Sequence, residues 1–344
     1  MRLSNTQTIK CPSCGSYLVF DPESQRLTCP FCGAAFTQQQ LEARIDAQKA
    51  ANDTAHTREY HCSSCGAELV TDDTTAATFC YYCHNPVTLV DRVSEEFHPD
   101  GVIPFAISKE NAMKRFQSFL AKKKFVRRDF FSAEALEKFS GVYYPYWVGD
   151  IEGSGDYLGQ GTRVSIASTP KYDIVTTKYY DVHRAGSLRF SEMMRQALTK
   201  NDRKLSVGIY PYQFKDTKPF STALLSGYMA EKRDIGKDSA EQEMVQEARG
   251  QVEKLMTSEL HYDTLHGKAS FTPTKAKMRY FLLPTWVITY RGDKLGTTFY
   301  YMMNAQTGTV CGKLPSRWGK LIGVATLAGA IVSGLLCAGG ALLW

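Results

Sequence analysis

Eight of the ten cysteines form two copies of one pattern, in which two C-x2-C pairs are separated by fourteen residues. The ligand positions are Cys11, Cys14, Cys29 and Cys32 in the first set and Cys62, Cys65, Cys80 and Cys83 in the second. This spacing is typical of a tetrahedral zinc site, in which each tight turn contributes two thiolates. Because four thiolates leave no position open for water or substrate, we predict two structural Zn2+ sites.

Three alternatives to a zinc site of four cysteines have weaker support. Disulfide bonds require an oxidising compartment, and residues 1–10 lack the apolar segment of a signal peptide. A redox-active C-x-x-C is expected beside a βαβ pattern, which the sequence lacks. His61 and His84 flank the second set and could replace a sulfur ligand, although four cysteines already suffice.

Each cysteine set must be positioned by a short β-ribbon. Segments of this length are too short for a hydrophobic core alone, and zinc binding supplies about 10–16 kcal/mol of folding free energy in such peptides. Apolar residues at 17–20, 27 and 36, together with Thr28, predict the strands of the first ribbon. We place the zinc ribbons at residues 1–36 and 59–92, joined by a polar helical linker at 37–58.

The C-terminal segment from Leu321 to Trp344 contains 24 residues without a charge. As a helix it would be about 36 Å long, enough to cross a bilayer core, and it predicts a transmembrane anchor at residues 317–344. Lys313, Arg317 and Lys320 precede it, and positive charge remains on the cytoplasmic side. We therefore expect a single-pass protein of the inner membrane with its N-terminal bulk in the cytosol.

The central region contains an internal repeat. Residues 101–105 (GVIPF) resemble 208–212 (GIYPY), and residues 144–148 (YPYWV) resemble 283–287 (LPTWV). Each copy has a helical pattern, which begins after Ser108 in the first and at a Ser239 capping box in the second, and then strand patterns.

This repeat predicts two related α+β units, at residues 98–205 and 206–316. The predicted fold is multidomain, with two N-terminal β zinc ribbons, a central α+β region of two related units and one C-terminal transmembrane helix.

The sequence contains no recognisable catalytic arrangement. The glycine-rich stretch from Gly153 to Gly161 lacks the phosphate-binding P-loop pattern and predicts hairpin turns. The sequence has neither the H-E-x-x-H motif nor the G-x-S-x-G motif. We expect no enzymatic activity and no small-molecule substrate.

A basic run, KKKFVRR, extends from Lys122 to Arg128. It could be a solvated helix end, a contact for anionic lipid or a protein partner, or a nucleic-acid contact, in that order of preference. A net charge of +6 over 344 residues is too small to indicate a nucleic-acid-binding protein.

Twin ribbons opening with CPSCG and HCSSCG are followed by LPTWVITYRGDKLGTTFYYMMNAQTGTVCGKLP and by the hydrophobic C-terminus. Over essentially its full length the chain resembles bacterial TFIIB-type zinc-ribbon membrane proteins of the YdjG kind. Members are often labelled primosomal helicase-like, but this sequence has no Walker motif. The resemblance implies eight zinc-ligating cysteines and a membrane docking platform. It also implies phage-shock-type or SPFH-type protein partners from envelope-stress gene clusters.

We therefore expect a membrane-anchored cytosolic zinc-ribbon scaffold that recruits protein partners at the inner membrane, in envelope stress or membrane organisation. The alternative is a membrane-tethered nucleic-acid-binding protein that uses the ribbons and the basic run.

Overall fold

The structure is a computed structural model of the 344-residue chain. It describes residues 6–41, 60–62, 68–69, 75–80, 85–89, 98–122, 139–199, 203–291, 298–312, 326, 329–330 and 332–334.

Strands dominate the described residues, and helices are few. The strands are β1 (Thr6–Gln7), β2 (Val19–Asp21), β3 (Arg26–Thr28), β4 (Ala35–Phe36), β5 (Tyr60–His61), β6 (Glu68–Leu69), β7 (Thr75–Phe79), β8 (Pro86–Leu89), β9 (Gly101–Val102), β10 (Ser140–Ser168), β11 (Asp173–Gln196), β12 (Met229–Glu231), β13 (Thr264–Arg291), β14 (Thr298–Asn304) and β15 (Val310–Gly312). The helices are α1 (Lys109–Ala121), α2 (Arg203–Gly208) and α3 (Lys237–Thr257), with 3-10 turns at Phe214–Asp216 and Thr222–Leu225.

Most of these strands belong to one large sheet built around β10 and β13. Its order is β1-β8-β7-β12-β10-β13-β14-β15, with β11 also paired to β10 and β9 to β13. Strands β2–β4 form a separate three-stranded sheet, and β5–β6 a two-stranded one. Although β7 and β8 lie in the predicted second ribbon, they extend the large sheet through the pairing of β7 with β12. The predicted domain boundaries themselves stay a prediction.

The distal parts of β10, β11 and β13 form a three-stranded antiparallel arm, made of residues 151–168, 173–190 and 264–276. These strands have 29, 24 and 28 residues, whereas a strand usually has about five or six. Strand β10 lies in the middle and pairs with β11 out to Ser168↔Asp173. It pairs with β13 out to Thr162↔Thr264.

The glycine-rich stretch of the arm does not form turns, so the prediction of hairpin turns is wrong. Gly153 and Gly155 lie inside β10, where neighbouring side chains occupy the space that their own would fill. A Cβ on Gly153 would meet the Thr272 carbonyl oxygen at 2.4 Å and the Phe271 ring at 2.6 Å. A Cβ on Gly155 would meet Leu188 at 2.6 Å. These glycines therefore permit close packing across the sheet.

The prediction of a central α+β region of two related units is also wrong, because both copies contribute to one predominantly β sheet. The repeated P-x-W segments lie beside each other on β10 and β13, with Pro145 opposite Leu282. Trp147 Nε1 donates to the Ile235 carbonyl at 2.9 Å, just before α3. Trp286 Nε1 donates to the Ile107 carbonyl at 2.9 Å, just before α1. Each tryptophan thus holds the start of the other copy's helix.

The base of the sheet is buried on both faces. On the face that carries α1 and α3, the Phe105 and Tyr228 rings stack with centroids 4.0 Å apart. The opposite face is covered by α2 and the segment after it, where Ile209 and Tyr212 pack against Leu283. This double burial explains why residues 141–149 of β10 are continuously buried instead of alternating.

The prediction of a C-terminal transmembrane helix is corrected as well. In the part of the chain that the structure describes, no helix has both the length and the apolar character needed to cross a membrane. Within Leu321–Trp344 only residues 326, 329–330 and 332–334 are described, and the rest of that segment lies outside the described residues. The predicted single-pass location at the inner membrane is corrected with it. An uncharged run shows that a segment is apolar, but it does not fix the length of a helix, which packing also decides.

Candidate metal centre

The four cysteines of the first set lie on two similar turns. The Gly15 N–H donates to the Cys11 carbonyl at 2.9 Å, and the Gly33 N–H donates to the Cys29 carbonyl at 3.0 Å. Both glycines have left-handed backbones, with φ of 76° and 72°, a conformation that costs a residue with a Cβ more than it costs glycine. Each C-x2-C-G segment therefore folds back and directs both of its sulfurs to one point. In the sequence, a glycine directly after the second cysteine of each pair is the signal for this turn.

The sulfur positions match a four-coordinate zinc site. Cys11 Sγ lies 3.7 Å from Cys32 Sγ, and Cys14 Sγ lies 3.5 Å from Cys29 Sγ. All four sulfurs lie within 4.8 Å of one another. A tetrahedron with Zn–S bonds of about 2.3 Å has sulfur–sulfur edges of about 3.8 Å. A disulfide would instead require about 2.05 Å, so the four thiols are free and spaced for a metal.

The electrostatics of the cluster favour thiolates at two of these positions. Burial acts to raise the pKa of the Cys11 thiol, but N–H groups of Cys14 and Ser13 and neighbouring thiols outweigh it and lower the pKa to about 6. The pKa of Cys29 is also lowered, chiefly by the Cys32 backbone N–H. Around Cys14, the Ser16 backbone hydrogen bond lowers the pKa, but the Cys29 thiol, burial and the other thiols raise it to about 12. Hence Cys11 and Cys29 readily supply the thiolate form that a metal requires.

Strands β2, β3 and β4 carry the turns and supply a small apolar core. Leu18 and Leu27 pack there with the buried sulfur ligands Cys11 and Cys29. Ala223, from a distant part of the chain, completes this cluster. One ligand of each pair is therefore buried, while Cys14 and Cys32 face solvent.

The hairpin side of this ribbon is fixed to the rest of the molecule. Ser226 Oγ donates to the Leu18 carbonyl at 2.6 Å, and Tyr228 Oη donates to the Phe20 carbonyl at 3.3 Å. The Glu23 carboxylate accepts hydrogen bonds from Ser108 Oγ at 2.7 Å and from Asn111 Nδ2 at 2.9 Å, at the start of α1. These contacts fasten this side of the ribbon to the rest of the molecule and orient the opposite side outward.

The knuckle end of the ribbon, residues 12–15 and 30–33, is the exposed side. Phe31 lies there with 71% of its surface exposed. Its ring contacts Tyr17 edge to face, with centroids 5.6 Å apart and an interplanar angle of 86°. A large exposed aromatic side chain is thus held in place directly beside the metal ligands.

Two comparisons with known proteins place the chain. Residues 6–37, which include all four cysteines of the first set, match the family described as Trm112p-like protein, a zinc-binding family. The chain is 32% identical over 318 residues to Uncharacterized protein YdjG of Bacillus subtilis (strain 168), and the alignment covers 91% of each chain. The chain belongs to the YdjG family. No solved structure matches it significantly.

The predicted resemblance to YdjG-type proteins is confirmed by this family membership. The first cysteine set can bind one zinc ion, which confirms the prediction of metal binding but not the prediction of two sites. The TFIIB-type classification of the ribbons and the mislabelling of YdjG-family members as helicase-like stay predictions.

The second cysteine set of this YdjG-family chain is described in part. Cys62 and Cys80 are buried and pack with Val87 and Leu89. The predicted ligands Cys65 and Cys83 lie outside the described residues, as does His84. His61 lies in β5. The structure therefore brings two predicted ligands into one apolar cluster and does not describe the other two.

The remaining predicted features lie away from the metal centre. Of the basic run, Lys122 is described, exposed just after α1, and 123–128 lie outside the described residues. His183 pairs with Asp156 at 3.0 Å on the surface of the arm. The cysteine cluster is therefore the candidate site that both the sequence and the geometry support.

Proposed function

We propose that this YdjG-family protein is a zinc-stabilised scaffold that recruits protein partners through the knuckle end of its first ribbon. The observation that carries the proposal is the exposure of Phe31 beside the metal ligands, on a ribbon whose other side is fixed to the core. Aromatic side chains dominate the binding energy of many protein interfaces. A rigid turn that presents one also loses little conformational entropy on binding.

We propose zinc at both cysteine sets. In the first set, the N–H of Cys11 donates to the Ser16 carbonyl, and the N–H of Cys29 donates to the Ala34 carbonyl, each five residues ahead. The N–H of Cys80 makes the same contact with the Asn85 carbonyl, at 2.9 Å, which supports zinc at the second set. The proposed ligands are Cys11, Cys14, Cys29, Cys32, Cys62, Cys65, Cys80 and Cys83.

A closed set of four thiolates gives zinc a structural role. The metal holds the two turns together, so that Phe31 and Tyr17 keep one arrangement. The proposed activity is therefore recruitment and not catalysis. By the resemblance described above, the proposed partners are phage-shock-type or SPFH-type proteins, with a role in envelope stress.

Metal analysis of the purified full chain tests the zinc assignment. We expect two zinc ions per chain in the wild type and one in Cys11→Ser and in Cys62→Ser. The Cys311→Ser control, in β15, should retain two. One zinc in the wild type and an unchanged count in Cys62→Ser would contradict the second site.

Binding of purified phage-shock-type and SPFH-type proteins by calorimetry tests recruitment. Phe31→Ala should weaken binding about tenfold or more, with an unchanged zinc content. Leu255→Ala is the matched control, because Leu255 is 46% exposed on α3, away from the ribbon. Equal losses in both variants would contradict the proposal. So would binding to DNA or RNA that persists near physiological salt and falls steeply with rising salt, because that is the behaviour of a nucleic-acid-binding protein.

A further inference from the structure

The outer edge of β11 is a long open strand edge. Strand β11 pairs with β10 on one side, and no described strand pairs with its other side. From residue 173 to 189 its register with β10 is unbroken, and this stretch contains no proline. Proteins usually blunt such edges with prolines, bulges or covering segments. Among the described residues, this edge is therefore left for another strand to pair with.

The backbone groups that face outward follow from the hairpin turn. The Thr169 N–H donates to the Tyr172 carbonyl at 2.9 Å, which makes these two residues a hydrogen-bonded pair. Because such pairs alternate along antiparallel strands, the even-numbered residues of β11 bond to β10. Its odd-numbered residues direct their N–H and C=O groups outward. The hydrogen bonds on the other side of β10 agree with this assignment. The even-numbered Thr162 directs its carbonyl away from β11, where it accepts from the Asp263 N–H at 2.8 Å.

Exposed apolar side chains concentrate on the same part of the arm. Tyr179 is 79% exposed, Val175 is 60% exposed, and Ile166 on β10, opposite Val175, is 65% exposed. Val175, Thr177 and Tyr179 alternate along the edge strand and therefore lie on one face of it. An open edge flanked by exposed apolar side chains is typical of an association site.

We propose that the arm is a self-association site, in which β11 pairs antiparallel with β11 of a second copy about a twofold axis at Tyr179. This register places Tyr179 opposite its own twin, Thr177 opposite Asp181 and Val175 opposite His183. It sets no two like charges directly opposite each other. An axis at Lys178 or at Asp181 would instead oppose a charge to itself, which destabilises a strand pair.

The size of the contact fits a dimer. Residues 173–187 extend about 50 Å, and a strip about 12 Å wide along this length buries about 600 Å2 on each copy. The total of about 1,200 Å2 lies at the lower limit of stable protein interfaces. The outward-facing groups supply on the order of ten hydrogen bonds, the usual number for an interface.

A second copy suits this edge because one twofold operation pairs the same open edge on both molecules and leaves neither exposed. The extended segment of a different protein would cover one edge only. The self-association goes beyond the recruitment proposed for the ribbon and does not depend on it, because the arm and the knuckle end share no residues.

Sedimentation velocity of the full chain over a range of concentrations tests the pairing. Thr177→Lys should strengthen the dimer and Thr177→Asp should weaken it, because the new charge lies opposite Asp181 of the other copy. The twofold axis produces this charge pair twice in each dimer. Each cross-strand charge pair changes affinity by up to about fivefold, so the two variants should differ about tenfold or more. Equal dimerisation of the two variants would overturn the proposal, and so would a wild type that stays monomeric at high concentration.

Cysteine cross-linking tests the register independently. In a hydrogen-bonded antiparallel pair the facing Cα atoms lie about 5.5 Å apart, within reach of a disulfide. Tyr179→Cys should therefore form a covalent dimer under mild oxidation. The matched variant Asp181→Cys should not, because its twin lies about 13 Å away. Efficient cross-linking at position 181 but not at 179 would contradict the axis.

Discussion

Replacing one glycine of the arm tests whether β10 and β13 pack as closely as described. The perturbation is Gly153→Ala, and its matched control is Gly186→Ala on β11. Both glycines lie within long strands of the same arm. A Cβ on Gly186 meets no heavy atom within 4 Å, whereas a Cβ on Gly153 meets backbone and ring atoms.

The magnitude follows from those contacts. The carbonyl oxygen of Thr272 lies 2.4 Å from the new Cβ and belongs to the backbone, so it cannot rotate away. The ring of Phe271, 2.6 Å away, is itself buried against Phe190. Overpacking of this kind costs about 1–3 kcal/mol, and we expect about 3 kcal/mol. Gly186→Ala should stabilise the protein by about 0.4–1 kcal/mol, because alanine loses less entropy on folding.

Urea denaturation followed by tryptophan fluorescence measures both changes in the free energy of unfolding. Trp147 and Trp286 lie in the buried base of the sheet and report on its unfolding. We expect the two variants to differ by about 3–4 kcal/mol, a large part of the usual 5–15 kcal/mol of total stability. A difference below about 1 kcal/mol would refute the packing argument.

Three further predictions concern the metal centre and its supports. In metal-stripped protein, folding lowers the pKa of the Cys11 thiol from 9.0 to about 6. Its thiolate therefore stabilises the fold fully above pH 9, and this stabilisation is lost as the pH falls through 6. Thiolate absorbance should rise near pH 6 in the wild type but not in Cys11→Ser. Glu23→Ala removes the contacts with α1 and should cost about 1–3 kcal/mol, with faster hydrogen exchange at residues 18–28. Glu253→Ala, at an exposed position of α3, should leave that exchange unchanged. Trp147→Phe and Trp286→Phe should each cost about 1–3 kcal/mol, because each leaves a carbonyl without its donor; strongly unequal losses in urea denaturation would contradict their equivalence.

Much of the candidate site could be predicted from the sequence because its geometry is local. The C-x2-C-G segments position two sulfurs within five residues, and the second turn follows after a short hairpin. The exposure of Phe31 could not be predicted, because it depends on which side of the ribbon is fastened to the rest of the molecule. That side is set by Ser108 and Ser226, which follow the ribbon by many residues and contact it only in the folded chain.

The helix starts were predicted unevenly for a related reason. Ser108 caps α1 by accepting from the Asn111 N–H at 3.4 Å, as the pattern indicated. Helix α3 instead begins at Lys237 with Gly236 at its N-cap, so the capping box at Ser239 is wrong. The Trp147 contact to Ile235 holds the chain just before that start, and a contact over 88 residues leaves no local signal.

The first metal cluster and the start of α1 could be predicted from the sequence, because the contacts that form them join residues close together in the chain, and the P-x-W repeat is visible in the sequence itself. The pairing of the strands shows that the two repeats share one sheet, that Gly153 and Gly155 lie inside a strand, and that β11 has an open edge among the described strands. The pairing of β10 with β13 joins residues more than a hundred positions apart, and its register depends on side chains from both strands. A glycine also gives the same sequence signal whether it permits a turn or makes room for the aromatic ring of a distant strand.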